Sequence, residues 1–264
     1  MKSIIKKIFL LIILNLNCFL LAQDKFKVGL LIVATGRYIN FVPGLIDSAN
    51  KHFLKDHKVT YFVFTDDTSF MYTDSVNIYQ EKLTWPFATM MRLETYYKNR
   101  TYFNDMDYVF ALDADMLFVD DVGNEILSER VATLHPGFYL KKDLPYERNI
   151  ISKACVSQKE DNYYFAGGFF GGIKQEFINL VKTNSENIQD DLKRGYIAEW
   201  HDESHNNRYF IDNPPTKILL PSYCYPEDAA LPHLYDSYKN ILNMPRKLIA
   251  LAKKHSEYQL PNKK

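Results

Sequence analysis

Two aspartates close an apolar run. Tyr108-Val109-Phe110-Ala111-Leu112 leads directly into Asp113-Ala114-Asp115. One buried carboxylate is costly and two neighbours repel each other. The pair therefore belongs where something positive lies between the acids and whatever they hold. On an extended segment residues i and i+2 point to one face. Two carboxylates on one face offer hard oxygen ligands suited to Mn²⁺ or Mg²⁺. An ion held by only two carboxylates keeps positions for a diphosphate and would neutralise charge on a departing nucleoside diphosphate. A solvated acidic loop after a strand is the plainer reading, and the spacing alone leaves both open.

A second stretch, residues 162–172, reads Asn-Tyr-Tyr-Phe-Ala-Gly-Gly-Phe-Phe-Gly-Gly. Four glycines among aromatics are poor for a regular helix or strand. The stretch fits a tight turn between strands. It equally fits a cavity wall, where Ala166, Gly167 and Gly168 leave room for a ligand and the rings offer faces for a sugar. A third stretch, residues 199–207, reads Glu-Trp-His-Asp-Glu-Ser-His-Asn-Asn. His201 and His205 share the i, i+4 spacing of a zinc-hydrolase helix, but Asp202 stands where that pattern needs glutamate. The polar residues after Trp200 instead suit a site that reads hydroxyls and steadies positive charge.

The elements that must position these residues alternate. Lys27–Ala34 and Lys58–Thr65 read as buried strands, Asp47–Leu54 as a helix, Phe87–Tyr97 as a second helix and Asp107–Leu112 as a third strand. Such alternation predicts an α/β chain with a mostly parallel sheet covered on both faces. Ligands of such sheets bind beyond the carboxyl ends of the strands. Thr35-Gly36-Arg37-Tyr38, Asp66-Asp67 and Asp113-Ala114-Asp115 all fall there.

The whole chain has 264 residues, 47% of them hydrophobic, enough for one sizeable core. Thirty-two basic residues balance 32 acidic ones, so bulk charge does not draw the protein to nucleic acid. Cys18, Cys155 and Cys224 make neither a disulfide framework nor a zinc cluster. Residues 1–24 stand apart. Lysines precede an apolar run at 8–22 that holds Asn15 and Asn17, which reads as a signal peptide or a short membrane anchor. The expectation is a membrane-associated or exported domain spanning 25–264, or alternatively one held at the cytoplasmic face in a bacterium.

Several ordered blocks resemble glycosyltransferase family 6, the family of the blood-group A and B transferases and the α-1,3-galactosyltransferase. They include VATGRY (33–38), MMRLETY (90–96), DAD (113–115), TLHPGFY (133–139), YERN (146–149), YFAGGFFGG (164–172) and EWHDESHNNRYF (199–210). The resemblance runs from about Val28 to His255. It implies a GT-A fold in a single catalytic domain and the activity of a retaining hexosyltransferase. The donor would be a UDP-sugar and the acceptor a galactose 3-hydroxyl on a glycan.

Carried over by position, Val33, Ala34, Thr35 and Tyr38 would meet the uridine and Arg92 the donor. Asp113 and Asp115 would be the metal ligands, with Ala114 on the ribose. Some bacterial relatives carry asparagines at the metal positions and work without a metal; this chain keeps both acids, so dependence on Mn²⁺ or Mg²⁺ is implied. Asp202 would hold donor-sugar hydroxyls. Glu203 would sit beneath the anomeric carbon and near the acceptor, with His135 and Trp200 facing the acceptor. A carboxylate below C1 suits the positive charge that a retaining transfer develops there. Lys253 would meet the diphosphate, and Gln259 stands near the place of a further family arginine.

Small residues at Ala166, Gly167 and Gly168 imply UDP-N-acetylgalactosamine rather than UDP-galactose as donor. His135 implies fucosyl-α-1,2-galactose as acceptor. The competing expectations are an α-1,3-galactosyltransferase and a sugar-binding protein that kept the fold without catalysis.

Overall fold

The computed structural model describes residues 25–160, 162–227 and 238–253. The signal peptide or anchor expected at 1–24 and the position of Gln259 lie outside these residues. Among the described residues no helix is long and apolar enough to cross a membrane.

A seven-stranded sheet forms the centre. In chain order its strands are β1 (Lys27–Val33), β2 (Lys58–Thr65), β3 (Ser75–Tyr79), β4 (Tyr108–Leu112), β6 (Arg130–Leu134), β7 (Phe165–Ile173) and β8 (Lys217–Leu219). Across the sheet they lie in the order β3-β2-β1-β4-β7-β6-β8. Only β7 runs against its neighbours, pairing antiparallel with both β4 and β6. The predicted mostly parallel α/β sheet is therefore present, with one reversed strand inside it, fifth of the seven.

Strand alternation sends side chains to two cores. Leu30 and Ile32 of β1 pack under α1 (Val42–His52), with Leu45, Ile46 and Ala49. Leu31 faces the other way, toward α2 (Phe87–Met90), α3 (Arg92–Lys98), α4 (Lys174–Lys193) and α5 (His201–Asp212). Burial on both faces explains the near-continuous apolar runs of β1 and β2.

Three expectations need correcting. The first helix starts at Val42 rather than Asp47, because Pro43 sits in the first turn, where its missing N–H costs nothing. The helix expected over Phe87–Tyr97 is broken at Met91, whose ψ of 0° departs from helical geometry. Residues 165–173 form not a turn but a strand inside the central sheet, its ladder interrupted at Gly167 and Gly168. The glycines are needed there because the backbone is crowded. A Cβ on Gly171 would strike the Val109 carbonyl, and Gly172, at φ +147°, lies against the Glu129 carbonyl.

A small second sheet completes the fold: β5 (Met116–Phe118), β9 (Tyr225–Pro226) and β10 (Leu248–Ala250), with β10 in the middle. Ala250 pairs with Met116, and Leu251 N–H donates to the Asp115 carbonyl at 2.9 Å. The end of the described chain is thereby laid beside the acid pair.

Candidate active site

The turn after β4 projects Asp113 and Asp115 from the carboxyl end of the sheet, as the sequence predicts. Asp115 is buried and paired with Lys253, which the second sheet delivers. Burial and the Asp113 carboxylate push the Asp115 carboxyl above its usual range, and Lys253 opposes them. The Lys253 ammonium also lies 4.8 Å from the centre of the Tyr38 ring. Asp113 is partly exposed and accepts from Arg92 Nη1 at 2.5 Å.

Arg92 ties the site together. From the buried start of α3 it donates Nε to Asp202, Nη1 to Asp113 and Nη2 to the Gly167 carbonyl at 2.8 Å. Burial alone would lower its pKa; the Asp202 and Asp113 carboxylates outweigh that and raise it. Asp202 is 1% exposed, and burial lifts its carboxyl to about 6 despite the guanidinium.

Gly167 and Gly168 reach these groups through a break in pairing. Ala132 pairs with Phe170, yet the next residue, Thr133, pairs with Ala166, so residues 167–169 bulge away from β6. Bulges of this kind re-aim a strand beside a site. The Thr133 hydroxyl takes up the freed Phe169 carbonyl at 2.8 Å. Gly168 carbonyl accepts from Asp113 N–H at 3.0 Å, and Gly167 N–H donates to Glu203 Oε2 at 2.7 Å.

The helix carrying Glu203 begins under strain. Trp200 is 45% exposed, while Asp202 is inside. Between them His201 adopts φ +53°, a left-handed conformation uncommon for a residue with a side chain. Asn207, one turn beyond Glu203, docks α5 on β7. Its side-chain oxygen accepts from Phe165 N–H, and its amide donates to the Phe165 carbonyl, both at 2.8 Å. The same amide donates to the Glu203 carbonyl at 2.9 Å. Burial raises the Glu203 carboxyl to about 7, with the Gly167 N–H pulling the other way.

Val33, Thr35, Tyr38 and Ala114 line a cavity of about 280 Å³ together with Arg92, Asp113, Asp115 and Lys253. Ala34 is fully buried beside it and does not line it. His135 stands apart from this cavity. Its Nδ1 accepts from Gly137 N–H at 3.0 Å, and burial lowers its pKa to about 4, so the ring is neutral. It reaches the acids through Tyr164, whose ring it meets edge-on at 5.8 Å. The buried Tyr164 hydroxyl lies beside Glu203 without a hydrogen bond of ordinary geometry.

His201 and His205 do not meet. His201 packs edge-on against Trp85 at 5.2 Å, whereas His205 is buried with Nε2 3.6 Å from Asp191. Among the described residues no group of three or more His, Cys, Asp or Glu is placed to hold a metal. Asp113 and Asp115 both line the cavity, and further ligands for an ion held between them would come from phosphate or water.

Several residues here escape sequence reasoning. Trp85 is 47% exposed and lines the cavity mouth, a placement that a lone tryptophan in a loop does not announce. Glu147, 3% exposed, accepts from Asn149 N–H at 2.7 Å, Tyr196 hydroxyl at 3.1 Å and Glu199 N–H at 2.9 Å. It anchors the loop that presents Trp200. Its signal was the YERN stretch, to which no role had been given.

A family model for glycosyltransferase family 6 matches residues 13–244. The chain belongs to glycosyltransferase family 6. Among the family's curated members, histo-blood group ABO system transferase 1 of Rattus norvegicus is 36% identical over 210 residues, covering 75% of this chain and 60% of the relative. Globoside alpha-1,3-N-acetylgalactosaminyltransferase 1 of Homo sapiens is 32% identical over 218 residues, covering 78% and 62%. Alpha-1,3-galactosyltransferase 2 of Homo sapiens is 29% identical over 219 residues, covering 78% and 64%. The chain thus spans about three fifths of the length of these family 6 relatives.

Proposed function

We propose that the chain is a retaining hexosyltransferase that moves N-acetylgalactosamine from UDP-GalNAc in α-1,3 linkage to a galactose acceptor, fucosyl-α-1,2-galactose. The observation carrying this reading is the joining of two kinds of acid across one dipeptide. Gly168 carbonyl holds the backbone of Asp113, and Gly167 N–H holds the carboxylate of Glu203. One acid suits the diphosphate end of a UDP-sugar, and the other suits its anomeric carbon.

In this reading the C1–oxygen bond to UDP breaks and a bond to the acceptor 3-oxygen forms on the same face. The hydroxyl proton leaves to an oxygen of the departing diphosphate. Glu203, ionised and half-buried, steadies the positive charge at C1, where partial exclusion of water strengthens the attraction. Asp202 is held by Arg92 in position to accept from sugar hydroxyls. Lys253 brings a cation to the diphosphate. Asp113 and Asp115 would hold Mn²⁺ or Mg²⁺, which when bound supplies charge neutralisation at the leaving group.

Tyr38, Thr35 and Val33 wall the nucleoside end of the cavity, and Ala114 faces the ribose. The small volume at Ala166, Gly167 and Gly168 supports the acetamido donor over UDP-galactose. His135 and Trp200 face the acceptor, and residues 8–22 hold the domain at a membrane or direct its export. A sugar-binding protein without catalysis would have no use for a half-buried Glu203 held by a dedicated peptide N–H.

The test is UDP release from UDP-GalNAc and UDP-Gal with lactose and with 2′-fucosyllactose, each with and without a chelator. The expected result is chelator-sensitive turnover, fastest with UDP-GalNAc and 2′-fucosyllactose. Equal turnover of the two acceptors removes the fucose assignment, a preference for UDP-Gal removes the donor assignment, and no turnover in any arm favours the binding protein.

A further inference from the structure

Two short segments bring cations and isoleucines to the surface together. Residues 148–153 read Arg-Asn-Ile-Ile-Ser-Lys, and residues 193–197 read Lys-Arg-Gly-Tyr-Ile. They hold four cations and no acid, in a chain whose acids and bases balance. Arg148, Lys153, Lys193 and Arg194 are all exposed. So are Ile150, at 90%, Ile151, at 49%, and Ile197. An isoleucine as far out as Ile150 does nothing for the core.

Hydrogen bonds fasten the two segments into one patch. Arg194 Nη1 donates to the Ile151 carbonyl at 3.1 Å, and Lys153 N–H donates to Asp191 Oδ1 at 2.8 Å. Asp191 is buried in the last turn of α4, and its other oxygen accepts from the Ser152 hydroxyl at 2.5 Å. Glu147 joins the far ends, its two oxygens taking Asn149 N–H and Glu199 N–H. Ile150 and Trp200 are each the next residue after one of these donors, so the patch borders the exposed tryptophan of the site. The acids at its edge are Asp190, 3.5 Å from Lys193, and Glu199.

This composition narrows what can cover the patch. A second copy docked face to face about a two-fold axis would set cation against cation. A bilayer bearing anionic lipid meets both kinds of group. Its phosphates attract the cations, whose long stems reach the headgroups, and the boundary just beneath them takes up the isoleucines. We infer that residues 148–153 and 193–197 form a docking surface for a membrane that contains anionic lipid. The inference does not depend on the proposed transfer. It also differs from the expected role of residues 8–22, an apolar run that would enter a bilayer without reading its charge. Docking here sets the Trp200 side of the site beside the bilayer.

The experiment measures amide hydrogen exchange in the full-length chain under three conditions: alone, with phosphatidylcholine vesicles, and with vesicles of phosphatidylcholine and phosphatidylglycerol. Residues 8–22 can enter both kinds of vesicle, so the difference between the two is what is read. Peptides covering 148–153 and 193–197 are expected to exchange more slowly on the anionic vesicles than on the neutral ones, and added salt should remove the difference. Vesicle flotation then compares the wild type with Lys153→Gln/Lys193→Gln. Each cation near such a surface is worth about fivefold in binding. The double variant should therefore bind the anionic vesicles about tenfold or more weakly and the neutral ones as before. Thermal melting checks that it is folded. Ile150→Ser, a change at a fully solvated tip, should reduce the protection while leaving its salt dependence in place. Equal exchange on the two kinds of vesicle overturns the inference, as does wild-type flotation of the double variant. Protection that grows with protein concentration without vesicles also overturns it, in favour of a second copy.

Discussion

Gly167 and Glu203 meet through one hydrogen bond, from the peptide N–H of the strand to carboxylate Oε2, at 2.7 Å. The bond fixes one oxygen of a half-buried acid while Asn207 holds the same residue's carbonyl. The acid is thus placed by backbone and by its own helix, and the charge it carries is what remains to be tested.

Glu203→Gln keeps the shape and leaves an amide oxygen for the Gly167 N–H, but removes the charge. Transfer is expected to fall by about 10²- to 10³-fold or more, the usual loss for an electrostatic stabiliser of a reacting centre. Titration with UDP should show nucleotide affinity retained. Unimpaired turnover in this variant sinks the assignment.

Activity should rise with pH through about 7, where burial places the Glu203 carboxyl, rather than near its ordinary value of 4.5. The ionised form is the useful one, so the rate is low on the acid side. Stability runs the other way. Between about 4.5 and 7 the folded state holds a proton that the unfolded chain releases, so this group makes folding less favourable as pH rises through that window. Melting temperatures across pH should fall less in Glu203→Gln than in the wild type over that interval.

Arg92→Met leaves Asp202 buried and unpaired. Breaking a buried pair in this way costs about 3–5 kcal/mol, measurable by urea denaturation. The double variant Arg92→Met/Asp202→Asn should recover part of that loss. Arg92→Lys cannot serve Asp202, Asp113 and the Gly167 carbonyl together, because the ammonium lacks the planar fork. No recovery in the double variant would show that the arginine acts through packing alone.

Glu147 touches no proposed substrate position and acts through the loop before Trp200. Glu147→Gln removes the charge that three donors share, a loss of about tenfold for one charge-assisted contact. That loss should appear in the KM for the acceptor, with the KM for the UDP-sugar unmoved. Equal rises in both would mean general loosening.

How much of this was readable beforehand depended on distance along the chain. Asp113 and Asp115 were legible because an apolar strand ends abruptly in two acids with period-two spacing. Their bond to Arg92, and its bond to Asp202 some 110 residues away, were not, since no local pattern records a long-range ion pair. The glycine-rich stretch misled on local grounds. Its residues are poor strand formers in isolation, and only the crowding by Val109 and Glu129 explains why glycine is required in a paired strand. Resemblance to the family supplied Glu203 and Lys253; periodicity could not.

The Gly167–Gly168 unit works as a ruler. Gly168 carbonyl holds the backbone of Asp113 and Gly167 N–H holds the carboxylate of Glu203, so two adjacent residues of one strand fix how far apart the two acids stand. In the proposed transfer, a change of bulk at Ala166 beside it alters which hexose is admitted. Sugar preference is therefore free to drift in descendants of such a chain while the distance between its two chemical poles stays as it was.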